Sequence, residues 1–195
     1  RLGKYYSGLI GKDQGLVDMS WNVFDKQSFL FNTTVDRLWL DLHYNKFQVT
    51  VGRQRINWGQ TFVWNPNDIF NAYSFFDFDY IERPGSDAVR LQYFPSSSSA
   101  AELAVKVDDE NDVTAAGLYR FNRWGYDFQF LAGFVNGQDV VIGAGWSGAI
   151  GSVSFRGEGS WFDQYEDFPG SEGTVLITTG FDKIFKDNSM AQVQF

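Results

Sequence analysis

Through most of this chain apolar and polar residues alternate with a period of two. From Arg37 to Tyr44, the residues Leu38, Leu40, Leu42 and Tyr44 share one parity, and Arg37, Trp39, Asp41 and His43 share the other. Asn45 and Lys46 supply turn chemistry, and Phe47, Val49 and Val51 then alternate with Gln48, Thr50 and Gly52, which predicts a hairpin. The same grammar recurs in Val89 to Tyr93 and Leu103 to Val107 around Pro95 to Ala100, and in Ala115 to Phe121 and Tyr126 to Phe134 around Asn122 to Gly125. It continues in Val140 to Trp146 and Val153 to Trp161 around Ile150 and Gly151, and in Val175 to Phe181 and Ala191 to Phe195 around Lys186 to Asn188. With less regular candidates in Leu16 to Phe24 and Leu2 to Ile10, the chain reads as about eleven or twelve strands in one meander, and no segment carries a helical period.

Alternating strands with one wet face also build soluble sandwiches. Three features favour an antiparallel up-and-down transmembrane β-barrel instead. The strands run about nine to eleven residues, beyond the usual five or six. On the apolar parity Tyr44, Phe47, Tyr93, Phe121, Tyr126 and Trp146 sit beside the short turns, where a membrane barrel carries an interfacial girdle and a sandwich core would not. The opposite parity holds charges in mid-strand, Arg90, Lys106, Asp127, Arg156 and Glu158, as a watered lumen would. We therefore expect one β-barrel domain over residues 1–195.

Connections alternate as well. Short turns fall at Asn45, Pro95 to Ala100, Asn122 to Gly125, Ile150 and Asp187, and longer ones at Gly59 to Gly85, Asp108 to Val113, Asn136 to Asp139 and Asp163 to Gly173. That asymmetry matches periplasmic turns and extracellular loops of a bacterial outer-membrane protein. Trp161 and Trp58 would then belong to the outer interface. The terminal AQVQF resembles the C-terminal signal of outer-membrane barrels, yet it falls on the long-loop side, so either the two sides are assigned the wrong way round or, the reading favoured here, the chain is part of a larger barrel.

Composition sharpens this picture. Aromatic residues make up 18% of the 195, with 20 Gly, 4 Pro and no Cys, a mix that favours strands and removes thiolate metal and redox motifs. No apolar run approaches the roughly eighteen residues of a membrane helix. The net charge of -8, with Lys and Arg scattered singly, argues against nucleic acid. The expected partners are membrane lipid and lipopolysaccharide, together with other outer-membrane proteins. Asp108, Asp109, Glu110 and Asp112 look like a calcium loop but lack the EF-hand Gly and terminal Glu, so a solvated loop, open to divalent ions that bridge lipopolysaccharide, is the simpler reading. No cofactor or resident metal is implied.

Catalytic residues are sparse. The single histidine, His43, has no recognisable serine partner, and Gly143 to Gly151 contains Trp-Ser-Gly without the nucleophile elbow. No enzyme activity is expected. The stretch VGRQRINWG, Val51 to Gly59, with Gly-Arg-Gln followed by Trp-Gly, resembles large Gram-negative outer-membrane barrels of the alginate-export and related porin-like type. That resemblance implies an outer-membrane porin-like channel or exporter for small polar or charged solutes.

After Trp58-Gly59 the alternation stops for more than twenty residues rich in aromatics. Phe62, Trp64, Ile69, Phe70 and the aromatics up to Tyr80 are too apolar for a free loop, so the segment 59–85 is expected to pack. It would constrict the barrel, cap its mouth or dock a partner. Asn65 to Asp68 carry cap chemistry for a short helix. Arg53 and Arg55 continue the apolar parity of Val51, so either Gly52 bulges and turns them inward or they lie above the hydrocarbon. At the loop base they are expected to pair with carboxylates among Asp77, Asp79, Glu82 and Asp87. A channel would filter solutes through Arg90, Lys106, Arg120, Asp127, Arg156 and Glu158. The alternative is a structural barrel that docks envelope proteins through its aromatic loop.

Overall fold

The computed structural model describes residues 15–26, 29–71, 85–168 and 173–195. Two strands, β1 (Ser20–Lys26) and β2 (Phe29–Thr34), pair only with each other. The other ten form one antiparallel sheet in sequential order: β3 (Leu38–Tyr44), β4 (Phe47–Gln54), β5 (Ser86–Ser96), β6 (Ser99–Val107), β7 (Val113–Arg123), β8 (Tyr126–Val135), β9 (Asp139–Ile150), β10 (Val153–Gln164), β11 (Thr174–Ile184) and β12 (Met190–Gln194). Every strand of this sheet coincides with an alternating run, because a period of two with one chemically uniform face leaves a single workable register. β2 escaped the pattern because Phe29-Leu30-Phe31 is a continuous apolar run. The candidate in Leu2 to Ile10 lies outside the described residues.

Turn chemistry is local and strong. Between β7 and β8, Trp124 and Gly125 both adopt positive φ, 56° and 78°, the type I′ geometry whose twist suits a hairpin. The expected short helix near Asp68 does not form. Asp68 N–H donates to Asn65 O (3.1 Å) and Asn71 N–H to Asp68 O (3.3 Å), giving successive turns, and the Asn67 and Asn71 side chains donate to the backbone carbonyls of Ala144 and Ile56, the local competition that disfavours a helix at such residues.

All-β antiparallel architecture is thus observed, whereas closure is not. β3 and β12 each have one partner in the sheet, so among the described residues the ladder is open, with no pairing between its first and last strands, and does not by itself close a barrel.

The two faces of the sheet are chemically opposite. One ladder row runs Leu42, Val49, Leu91, Leu103, Gly117, Ala132, Ile142, Trp161, Val175 across nine strands, without a polar side chain. This apolar face is bare: Leu103 is 59% and Ile177 66% exposed. The polar face is the buried one, with Gln129 and Glu158 at 0% exposure. Aromatic rings line the short-turn end of the apolar face, with centroids 4.7 Å apart for Phe47 and Tyr93, 5.8 Å for Phe121 and Phe128 and 4.9 Å for Phe155 and Phe181. A second group, Phe134 with Tyr165 and Trp161 with Phe168, marks the long-loop end.

Candidate functional site

What buries the polar face is the segment 55–71. It leaves β4, crosses the sheet and reaches β12, where Val63 N–H donates to Gln194 Oε1 (3.0 Å) and Gln194 Nε2 donates to Trp64 O (3.2 Å). Ile56, Trp58, Ile69 and Phe70 point down onto Ala88, Ala104, Ala116, Leu118, Leu131 and Val141. Trp58 meets Phe70 edge to face at 4.9 Å. Small residues adjoin in register along the wall, Ala104 beside Ala116 and Ala116 beside Gly133, and leave depth for these rings.

Polar anchors flank this apolar seam. Trp58 Nε1 donates to Glu102 Oε2 (3.1 Å), and Gln129 Nε2 donates to Trp58 O (2.6 Å). Farther on, Glu158 accepts the backbone N–H groups of Gln60 (2.6 Å) and Asn67 (3.4 Å). Asn67 Nδ2 donates to Ala144 O (3.1 Å), and its Oδ1 accepts from Ser160 Oγ (2.6 Å). Gly143 makes this approach possible, since a Cβ there would lie 2.6 Å from Asn67 Oδ1 and 2.9 Å from Ser160 Oγ. At the near end Asn71 Nδ2 donates to Ile56 O, Ser86 Oγ donates to Phe70 O (3.1 Å), and Lys106 Nζ donates to the same carbonyl (3.4 Å). Partnered this way, these groups avoid the penalty of desolvation without replacement, although Gln60 Oε1 and Gln129 Oε1 are buried without a hydrogen-bond partner among the described residues.

Ion pairs occupy the rest of the wall. Glu102 accepts Arg90 through Nε (3.0 Å) and Nη2 (2.6 Å), with Arg120 at 3.8 Å on its other oxygen. Arg156 pairs with Asp182 at 2.6 Å and carries the Phe62 ring 4.0 Å from its Cζ.

Of the expected loop anchors, Arg53 and Asp87 meet as a bidentate pair at 2.9 Å, both oxygens used. Register continues unbroken from Phe47 to Gln54, so no bulge turns Arg53 inward. It stays on the apolar parity at the sheet's end, where Val17 O (2.7 Å) and Val35 O (3.3 Å) cap its remaining donors. Its buried work therefore includes holding the segment before β1. Arg55 is exposed, and Asp77, Asp79 and Glu82 lie outside the described residues.

Among the expected lumen residues, Arg90, Lys106, Arg120, Arg156 and Glu158 lie on the loop-covered face, and Asp127 is exposed near a turn, accepting from Asn122 Nδ2 (2.8 Å). Glu158 is sealed under the loop, not facing open water as expected, because the loop's own N–H groups needed an acceptor. Trp58, expected at the outer interface, is buried under the loop. His43 sits exposed beside Asp41 on the polar face. In the acidic stretch Asp108 Oδ1 accepts the N–H groups of Glu110 (3.0 Å) and Asp112 (2.9 Å), a turn cap, and no acidic or histidine cluster among the described residues has metal-binding geometry. Glu102, Asn67, Gln129 and Ser160 were not singled out from sequence. Glu102 was the most accessible of them, since hairpin register places it opposite Gln92 and diagonal to Arg90.

Comparison with family models, curated proteins and solved structures finds no match to this chain.

Proposed function

We propose that the chain forms wall and constriction of a porin-like channel in a Gram-negative outer membrane, passing small polar or charged solutes. The observation that carries this reading is the inversion of the sheet: nine strands present an unbroken apolar row outward, and from β4 to β11 the opposite face, which carries the charged and amide side chains, is the buried one. In water that arrangement would be unfavourable by about 25 cal/mol for each Å² of apolar surface left bare, whereas in lipid it is the stable one. Strand length supports it too. β5, β7 and β11 have eleven residues, about 37 Å at 3.4 Å per residue and about 29 Å in projection at a tilt near 40°, close to the apolar band of a membrane barrel. Aromatic rings at both ends of that face fit the two interfaces.

Within this reading the segment 55–71 narrows the passage, since it is anchored from β5 to β12. Burial of Ile56, Trp58, Ile69 and Phe70 against their own wall favours constriction over the docking alternative. Strand edges β3 and β12 require further pairing in a bilayer, where each unsatisfied backbone group costs several kcal/mol. The test is planar-bilayer recording of the purified protein. Discrete ion-conducting steps support the channel, and a folded but silent protein sinks it and favours the scaffold.

A further inference from the structure

We propose that the cleft between the β9–β10 and β11–β12 turns binds the headgroup of an anionic phospholipid, held by Lys183 and Lys186. The proposal rests on the membrane reading above for the leaflet that supplies this lipid.

Charge is distributed unevenly between the two ends of the sheet. The long connections 108–112, 135–139 and 164–173 contain several Asp and Glu and no Lys or Arg. At the short-turn end the balance reverses: Lys46, Arg123, Lys183 and Lys186 stand in the turns or beside them, with Asp127 and Asp187 as the acids. Two of these cations lie against rings, Arg123 Cζ 5.3 Å from the Trp124 ring centroid and Lys183 Nζ 5.4 Å from that of Phe185. A basic group beside an aromatic ring suits the boundary between headgroups and acyl chains.

The β11–β12 turn concentrates this charge. Lys183 continues the apolar parity of Val175, Ile177 and Phe181, on which a cation is tolerated only near the interface. Ala191 stands opposite it in register, so β12 does not crowd its stem. Among the described residues neither Lys183 nor Lys186 has a carboxylate within salt-bridge distance. Both line an open cleft of about 650 Å³, to which the β9–β10 turn contributes Ser152. The acid of the cleft, Asp187, accepts the Ser189 hydroxyl (2.6 Å) and N–H (3.1 Å). Two cations thus face one carboxylate, and a positive charge is left over.

Ligand class follows from that surplus and from what adjoins it. The excess charge selects an anion, and a phosphate spreads its charge over oxygens that two ammonium groups and the Ser152 hydroxyl can reach together. A choline headgroup would bring its own cation against the lysines. Apolar continuity selects a lipid over a free ion. Phe181, one step from Lys183 along the same face, stacks on Phe155 at 4.9 Å and stands opposite the exposed Val193, so acyl chains have a surface next to their own headgroup.

The test is native mass spectrometry of the purified protein released from non-ionic detergent, with dioctanoyl phosphatidylglycerol as probe and dioctanoyl phosphatidylcholine as control. We expect phosphatidylglycerol to be retained in preference to phosphatidylcholine. Lys183→Gln and Lys186→Gln should each weaken its binding about fivefold, whereas Lys183→Arg retains it. Lys46→Gln removes the same charge from another short turn and should leave binding unchanged. Heat-modifiable electrophoretic mobility checks that each variant is folded. Equal binding of the two lipids, unchanged binding when both lysines are replaced, or equal weakening by Lys46→Gln overturns the proposal. Displacement of the lipid by inorganic phosphate at equal concentration overturns it too, because the site would then serve the free ion. Because lipid binding in micelles needs no conduction, a silent protein that retains phosphatidylglycerol through Lys183 sinks the channel and keeps this site, and a conducting protein without that preference does the reverse.

Discussion

Replacing Trp58 with Ala should release the segment 55–71 while leaving the sheet intact. Trp58 is 1% exposed, packs edge-on against Phe70, donates to Glu102 and offers its carbonyl to Gln129. Truncating a buried Trp costs about 3 to 5 kcal/mol through lost contacts and the cavity left behind. At about 1.4 kcal/mol per tenfold, the opening equilibrium of the segment should shift by roughly two to three and a half powers of ten. Hydrogen exchange read by mass spectrometry on the protein in nanodiscs measures this directly: peptides from 55–71 should lose protection by that factor, and those from β7 and β8 should not change. Trp58→Phe separates the two contributions in part, since it keeps an aromatic ring against Phe70 while removing the bond to the carboxylate, about 1.5 to 3 kcal/mol, together with the contacts of the smaller ring lost from the indole. The reasoning fails if 55–71 exchanges freely in the unaltered protein, or if Trp58→Ala leaves its protection unchanged.

Gly143→Ala should loosen the same segment by about 1 to 3 kcal/mol, because the new methyl meets Asn67 and Ser160, and limited proteolysis would show new cuts in 55–71. Arg53→Gln leaves Asp87 buried without its partner, a loss of about 3 to 5 kcal/mol; faster exchange of the Val17 amide, which donates to Asp87 Oδ2 (3.0 Å), checks it. Spin labels at Leu103, Val105, Phe128, Phe130, Ile142 and Phe155 should be accessible to lipid-soluble oxygen. Greater oxygen access at Lys106, Asp127 or Arg156 would show the faces to be reversed. In the turn between β11 and β12, the Ser189 hydroxyl and N–H hold the Asp187 carboxyl below its ordinary range. Its contribution is therefore present above the unfolded-state value and lost as pH falls through the lowered one, so the Ser189 amide should lose relative protection on acidification, more gently in Asp187→Ala, where the titrating group is gone.

Within the ten-stranded sheet, strand placement, strand order and the chemistry of each face were legible in the sequence, because a period of two ties every side chain to a face and short turns tie neighbours together; the separate β1–β2 pair was not, since β2 lacks that period. Leu38 to Tyr44 against Phe47 to Gln54 needed no distant information. The bidentate Arg53–Asp87 pair was also within reach, since it joins neighbouring strands. The path of the long loop was not. Its apolar content required burial somewhere, but constriction, cap and docking surface satisfy that requirement equally. The choice rested on partners remote in sequence: Glu158 receiving the Gln60 N–H, Gln129 reaching the Trp58 carbonyl, and Gly143 clearing space for Asn67. Such contacts have no local period, because they join an irregular backbone to whichever strand the curvature of the sheet brings beneath it. Sequence patterning thus determined the wall, and tertiary packing alone decided what lies across it.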